Sequence, residues 1–362
     1  MRKVNIFHEW LDTSGGAESV LAELIRIFPN ATVYTLWAEQ SLTESLGVEV
    51  RVSFLQKIPR KYRRVLGLFF MPIAWKLLGR NIQKGDLSIT SSWIFCHSAI
   101  PKRFESDAVH YIHTPARYWW NPEVDRRTRL KIPSMLLNFL RFLDKSLARN
   151  HRNVIANSTA TQKRIENYWN LASVVIHPPV DVNFYDYGRI ENCGPRGRFL
   201  LCVGRFVPYK GHALVIQLGE MLNLPVILAG HGEGETRLRI LAAAAKTEVS
   251  LLVNPSRESI RKLYATCACL VYPAIEDFGI VPVEAMSTGA LVLGINQGGL
   301  MDSVVHGETG NLVSEPELPF LVEGFYNLVG NTRENIRRKS LRFSQDSFVL
   351  NFTKYLNEID AK

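Results

Sequence analysis

The chain lacks any apolar run that could cross a bilayer. The longest, Val65 to Trp75, falls well short of the roughly 20 residues a spanning helix needs. It also lacks CxxC spacing. The five cysteines, Cys96, Cys193, Cys202, Cys267 and Cys269, are an odd set that fits reduced, buried thiols in a cytosolic protein better than a disulfide framework. Cys267 and Cys269 would share one face of a strand, where small apolar thiols are core more often than a metal pair. No Asp-x-Asp pair occurs to offer a metal clamp, and no metal is expected. The glycines of DTSGGAES (12–19) match neither the Gly-x-Gly-x-x-Gly of a dinucleotide fold nor the Gly-Lys-Ser/Thr ending of a P-loop. The opening MRKVNIFHEW has no apolar core and no small-residue cleavage site, so a secretory leader is not expected. Internal repeats and low-complexity tracts are absent as well.

What is present is globular. The 362 residues are 46% hydrophobic and 21% charged, enough to fill two cores at about 150 residues per domain. A net charge of +9 implies an anionic partner and leaves nucleic acid, phosphorylated ligand and membrane surface open. Short β-branched runs alternate with helical patterns: VNIF (4–7), TVYTL (32–36), LSITS (87–91), AVHYIH (108–113) and NVIAN (153–157). After SVVIHPPVD the pattern pauses across NFYDYGRIENCGPRGR (183–198), the best candidate linker. It resumes with RFLLCVG, LPVILAG, VSLLV, CACLVYP, ALVLG and GNLV. Apolar strands in alternation with helices imply parallel sheets covered on both faces. The expectation is an α/β protein of two doubly wound units, 1–180 and 181–342, with ligands outside the carboxyl ends of the strands, in the cleft between them.

The most informative window is YPAIEDFGIVPVEAMSTG (272–289). A strand is expected to end at Tyr272, and a helix to open with Pro282 in its first turn and stop at Gly289. Glu276 falls in the loop and Glu284 in the first helical turn, flanking free amides near Gly279 to Val281. Free amides at a helix N-terminus attract anions, and carboxylates accept from hydroxyls. A phosphorylated, polyhydroxylated ligand satisfies both. In VGRFVPYKGH (203–212) Arg205 and Lys210 follow a strand and reach the same edge, suited to phosphate oxygens. The turn GHGEGE, with Gly230 and Gly232, would let backbone approach a ligand closely.

These residues together resemble the retaining glycosyltransferases of family 4, with the GT-B fold. The resemblance rests on GGAE near the start, HTP (113–115), PPVD (178–181), GRxxxxKG (204–211), EDFGIVPVEA (276–285) and GGLMDSV followed by HGETGNLV. It implies two Rossmann-like domains facing across a cleft, with the C-terminal helix (343–362) crossing back to the first. It implies that Arg205 and Lys210 hold the donor diphosphate and that Glu276 binds a donor-sugar hydroxyl. Asp277, Phe278, Gly279, Ile280 and Val281 would line sugar and phosphate, and Glu284 would take the ribose hydroxyls. Gly16 would line the phosphate side, and His113 would face the transferred sugar. Transfer would proceed with retention, the leaving phosphate deprotonating the incoming hydroxyl.

EDFGIVPVEA with PPVD looks most like bacterial mannosyltransferases of polysaccharide assembly, which favours GDP-mannose over a UDP-sugar. Nine Lys or Arg and no acidic residue lie between Val50 and Gly85, interleaved with VLGLFFMPIAW, and a second basic stretch runs from Arg126 to Arg164. Basic and apolar residues side by side suit an anionic membrane face and a lipid-linked acceptor, so a cytoplasmic, peripheral location is expected. Tyr118, Trp119 and Trp120 are candidates for stacking on acceptor sugars. The competing readings are a sugar-nucleotide epimerase, which would lack an acceptor, an inactive transferase acting as a partner subunit, and a noncatalytic nucleic-acid binder, which the placement of the charges disfavours.

Overall fold

The computed structural model describes residues 2–12, 15–122, 133–190, 196–328 and 330–361 (backbone alone at 64–66). Cys193 and the start of the second basic stretch, 126–132, lie outside them. The chain forms two compact units, Met1–Pro179 together with Phe348–Lys362, and Val180–Ser347.

The first unit holds seven strands: β1 (Val4–His8), β2 (Thr32–Thr35), β3 (Val50–Val52), β4 (Leu87–Ser92), β5 (Ala108–Ile112), β6 (Val154–Ala156) and β7 (Val174–Val175). Their order is 3-2-1-4-5-6-7, and every pair is parallel. The second unit holds β8 (Leu200–Val203), β9 (Val226–Gly230), β10 (Val249–Val253), β11 (Cys269–Tyr272), β12 (Val292–Ile295) and β13 (Gly310–Val313), all parallel in the order 10-9-8-11-12-13. This is the α/β, doubly wound architecture that strand–helix alternation called for.

Side chains explain why both sheets need covering on each face. Successive residues of a strand point to opposite sides. Phe7 and Tyr34 join Trp37 and Trp75 in one cluster, while their neighbours Ile6 and Val33 join Val20, Leu24 and Leu21 in another. In each sheet the order reverses once, between β1 and β4 and between β8 and β11. Loops leaving those two strands diverge to opposite faces and open a crevice, the place where such sheets bind ligands.

The last helix, Gln345–Asp360, completes the first unit's core. Phe348 and Phe352 are buried against Tyr111 and the Ile6 cluster, and Arg2 bonds Asp107 and Asp360 at the rim. The rim pairs are a third or more exposed and add little by themselves. The two rings carry the attachment.

No described helix is long and apolar enough to cross a membrane. The segment Val65–Trp75 lies within the helix Arg60–Leu78 and divides by face. Met71, Ala74 and Trp75 are buried, while Phe69, Phe70, Ile73 and Leu77 are exposed.

Phe352→Ala should lower the stability of the first unit by about 3 to 5 kcal/mol, the usual result of emptying a packed aromatic site. Urea unfolding followed by the first unit's buried tryptophans measures this. An unshifted midpoint would mean that the returning helix contributes no core.

Candidate active site

Lys210 and Glu276 come from different loops, after β8 and β11, the two strands that flank the reversal in the second sheet. Lys210 ends a short 3-10 turn, Pro208–Lys210. It is buried, and its ammonium lies 2.7 Å from Glu276 Oε1 and donates to the Tyr272 hydroxyl, also at 2.7 Å. Burial by itself disfavours the charged ammonium. Tyr272, Glu276 and Tyr209 outweigh it, so the pKa of Lys210 is raised and it is a fixed cation. Arg205 is exposed one turn earlier, donating to the Tyr209 hydroxyl at 3.2 Å.

The helix after Glu276 spans Ile280–Ser287, with Gly279 (φ +87°) as its N-cap. It starts two residues before Pro282, so Glu284 lies in the second turn rather than the first. Proline is tolerated this early because the first-turn amides have no partner within the helix. The amides of Ile280 and Val281 therefore have no partner within the helix, and no acidic side chain stands in the first turn. Phe278 adds a packing role to the one expected of its backbone. Its ring is core, packed on Phe343, Val180 and Val283, and holds the loop down.

Glu284 accepts from the Tyr264 hydroxyl at 3.1 Å. Burial raises its pKa, with Tyr264, Tyr185 and Arg257 pulling the other way. The carboxylate is thus costly to ionise.

Glycines in this unit serve backbone against backbone. A Cβ at Gly230 would sit 1.9 Å from the Gly204 carbonyl oxygen, and one at Gly232 would be 2.9 Å from the Phe206 nitrogen. The approach expected toward a ligand is thus first an approach of the β9 loop to the loop bearing Arg205. In the same way Gly298 and Gly299 press on the Glu276 loop, and the Gly299 amide donates to the Glu276 carbonyl at 2.9 Å.

The first unit has its own cluster at its own reversal. His113 follows β5, buried, with Nε2 2.8 Å from the Ser91 hydroxyl, which is 3.0 Å from His8 Nδ1. Trp93 lies edge-on to both imidazoles. Gly16 begins the helix Gly16–Ile27, and Glu18 in its first turn lies 3.8 Å from His8.

Of the aromatic trio, Trp119 is corrected by the structure. Trp119 is fully buried and stacked on Phe95, with its indole N–H on Asp144. Trp120 stacks on Tyr168 with ring centroids 4.4 Å apart and also donates to Asp144. Tyr118 is partly buried against the same core. Trp119 has no free face for a sugar because its ring fills the core. The four described cysteines are all buried free thiols. Burial pushes the thiols of Cys202 and Cys267 up to about 12.

Sequence reasoning missed Tyr272, Tyr264 and Ser91. The signal for Tyr272 was its place at a strand's last residue, where alternation fixes which way a side chain points. Ser91 and Tyr264 reach the sites through pairings between distant segments and left no local pattern.

Two family models match. Residues 14–184 match "Glycosyltransferase Family 4", and residues 189–340 match "Glycosyl transferases group 1". The chain is 32% identical over 164 residues to the uncharacterized glycosyltransferase YqgM of Bacillus subtilis (strain 168), covering 43% of this chain and 45% of that protein. It is 30% identical over 227 residues to a GDP-Man:Man(3)GlcNAc(2)-PP-Dol alpha-1,2-mannosyltransferase of Xenopus tropicalis, covering 55% of this chain and 47% of the relative. The chain therefore spans about half the length of these relatives. Among solved structures, Anabaena Alr3699/HepE in complex with UDP superposes with a TM-score of 0.76 at 18% identity, covering 98% and 100% of the two chains.

The raised pKa of Glu284 sets the sign of a pH effect. The folded state binds this proton more tightly than the unfolded chain. The resulting stability is full below the ordinary carboxylate range and lost as pH rises through the raised folded value. Glu284→Gln should therefore leave the melting temperature of the free protein equal or higher at pH 7, with the gap closing toward pH 4. A fall of several degrees at pH 7 would show that the carboxylate stabilises the fold.

Proposed function

The chain belongs to the family 4 glycosyltransferases of the GT-B fold, and from that premise we propose that it transfers a hexose, mannose from GDP-mannose, to a saccharide or lipid-linked saccharide acceptor, with retention of configuration and without a metal. The observation that carries this reading is the buried Lys210 ammonium held between Glu276 and Tyr272, with the helix Ile280–Ser287 opening four residues after Glu276.

The chemistry follows from charge. A nucleoside diphosphate gains negative charge as it leaves. Lys210, Arg205 and the helix N-terminus provide positive charge already in place, which needs no reorganisation when the bond breaks. Glu276 accepts from a sugar hydroxyl and positions the ring. Glu284 accepts from the ribose hydroxyls. The leaving phosphate takes the proton of the incoming hydroxyl on the same face of the sugar, which gives retention. His113 is the first unit's contribution, at the carboxyl edge of its own sheet.

The Xenopus relative's name specifies GDP-mannose and a dolichyl diphosphate acceptor, which supports the donor and a lipid-linked acceptor. A UDP-sugar is the second reading, favoured by the UDP in the Anabaena structure. A surface of the first unit supports peripheral attachment to an anionic cytoplasmic membrane face. Phe70, Ile73 and Leu77 form one exposed stripe and Met135, Phe139 and Phe142 another, each at helical spacing. The two helices flank a hollow of about 640 Å³ whose rim carries Lys76, Arg80, Lys102 and Arg103. Apolar side chains beside cations suit phosphate headgroups over acyl chains.

Melting curves with GDP, UDP, dTDP and ADP, each with and without EDTA, test the donor. A nucleotide at 100 times its Kd adds about 2.7 kcal/mol to the state that binds it. GDP alone should raise the melting temperature, with EDTA making no difference. Stabilisation by UDP alone would replace the donor, and no response to any nucleotide would remove the transferase reading. Lys210→Ala and Glu276→Ala should each lower kcat by two orders of magnitude or more while the protein stays folded, the scale expected for losing a preorganised electrostatic contact. Near-normal turnover in either variant would take that residue out of the site.

A further inference from the structure

Beneath the first unit's sheet runs a buried chain of polar side chains that the transfer reaction does not use. The Thr90 hydroxyl lies 3.0 Å from His110 Nδ1, and His110 Nε2 lies 3.0 Å from Glu105 Oε2. The other Glu105 oxygen is 3.3 Å from His151 Nδ1. His151 Nε2 is 3.1 Å from His97 Nδ1, and His97 Nε2 is 3.1 Å from Asp144 Oδ1. Asp144 Oδ2 then accepts three indole N–H groups, from Trp119, Trp120 and Trp169. All three imidazoles and Asp144 are buried.

Counting hydrogens decides the protonation. His110 balances as a neutral ring, because Thr90 can donate to Nδ1 while Nε2–H donates to Glu105. The three remaining links, Glu105 to His151, His151 to His97 and His97 to Asp144, each need one hydrogen. Two neutral imidazoles supply only two. An ionised carboxylate only accepts. Asp144 Oδ2 is taken up by three indole donors, which leaves Oδ1 as the acceptor for His97, and Glu105 accepts from His110 and His151, which overcome its burial and lower its pKa to about 2. The third hydrogen has to be an extra proton on the histidine pair. His151 is the poorer host: burial above all lowers its pKa to about 3. His97 faces Asp144 on one side and has buried Glu9 nearby, with the Trp169 ring 4.8 Å away.

We propose that His97 is a buried imidazolium, and that His97 and Asp144 are positioning residues that fix the segment from His113 to Trp120 by way of the Trp119 and Trp120 indoles. The consequence for transfer rests on the reading of His113 given above, whereas the proton itself does not. Glu105, His110 and His151 are also close enough together to share a metal ion. The geometry favours hydrogen bonding. The His110 and His151 rings stack with centroids 3.7 Å apart, their nitrogens are already partnered, and the adjoining pocket is ringed by Lys102, Arg103, Arg149 and Arg152, which repel a cation.

The test is nitrogen NMR of the full-length protein with 15N-histidine at pH 7. Both ring nitrogens of His97 should carry protons, and His110 and His151 should each show one bare nitrogen. A bare nitrogen on His97 would overturn the proposal, as would loss of the His110 and His151 ring N–H signals on adding Zn2+. In Asp144→Asn the amide N–H supplies the missing hydrogen and its oxygen still accepts from the indoles. His97 should then become neutral with a bare Nε2, and kcat should stay within roughly three-fold of wild type, since the three indole donors keep their acceptor. Asp144→Leu orphans three indole donors and should lower kcat/KM by on the order of ten-fold or more. An imidazolium that persists in the Asn variant would also sink the idea. The ring-nitrogen result needs no transfer assay, so failure of the transferase reading and failure of this proposal are seen separately.

Discussion

A buried ammonium has to be neutralised, and in the second unit that requirement organises everything around it. Lys210 is held by one carboxylate and one phenol, from the last residue of a strand and the loop that follows it. Neither partner can move without leaving the charge uncompensated in a low dielectric. The pair therefore locks the loop after β8 to the loop after β11 across the reversal in strand order. A phosphate entering beside Lys210 would meet a cation already in position, and it would compete with Glu276 for that cation. Glu276 would then be released toward a sugar hydroxyl as the diphosphate takes over its role.

Close backbone contact holds the rest of this edge. Gly230 and Gly232 let two loops touch where any side chain would collide, and Gly298 with Gly299 does the same beneath Glu276. The glycine-rich turn is therefore part of how Arg205 is presented. The hydrogen bonds say the same: the Phe206 amide donates to the His231 carbonyl at 2.6 Å, and the Gly234 amide returns to the Phe206 carbonyl at 2.8 Å.

What could be read from the sequence was whatever is periodic or local. Alternation located the strands because apolar runs such as LLCV and CLVY have to be buried on both faces. The spacing from Glu276 to Glu284 placed both on one strand–loop–helix unit. Helix onset was misjudged by two residues because Pro282 is compatible with any of the first few helical positions. Trp119 was offered as a sugar platform because an aromatic near a functional motif looks the same in sequence whether it is exposed or not. Its burial depends on Asp144 and Phe95, which are distant along the chain. The histidine chain was invisible for the same reason. Each of its members looks like an ordinary polar residue until five segments converge.

The order of the units along the chain has a consequence for how the protein is made. The first unit is interrupted at Pro179 and resumes only at Phe348, and the segments leaving and returning are bonded to each other between Val180 and Phe343. A ribosome reading from the N-terminus finishes the first seven strands long before it makes the two phenylalanines that close their core. The apolar site they fill stays open through synthesis of the whole second unit. At about 5 to 20 residues per second that interval lasts on the order of ten seconds or more. Closure of the first unit's core thus waits on synthesis of the segment that returns to it.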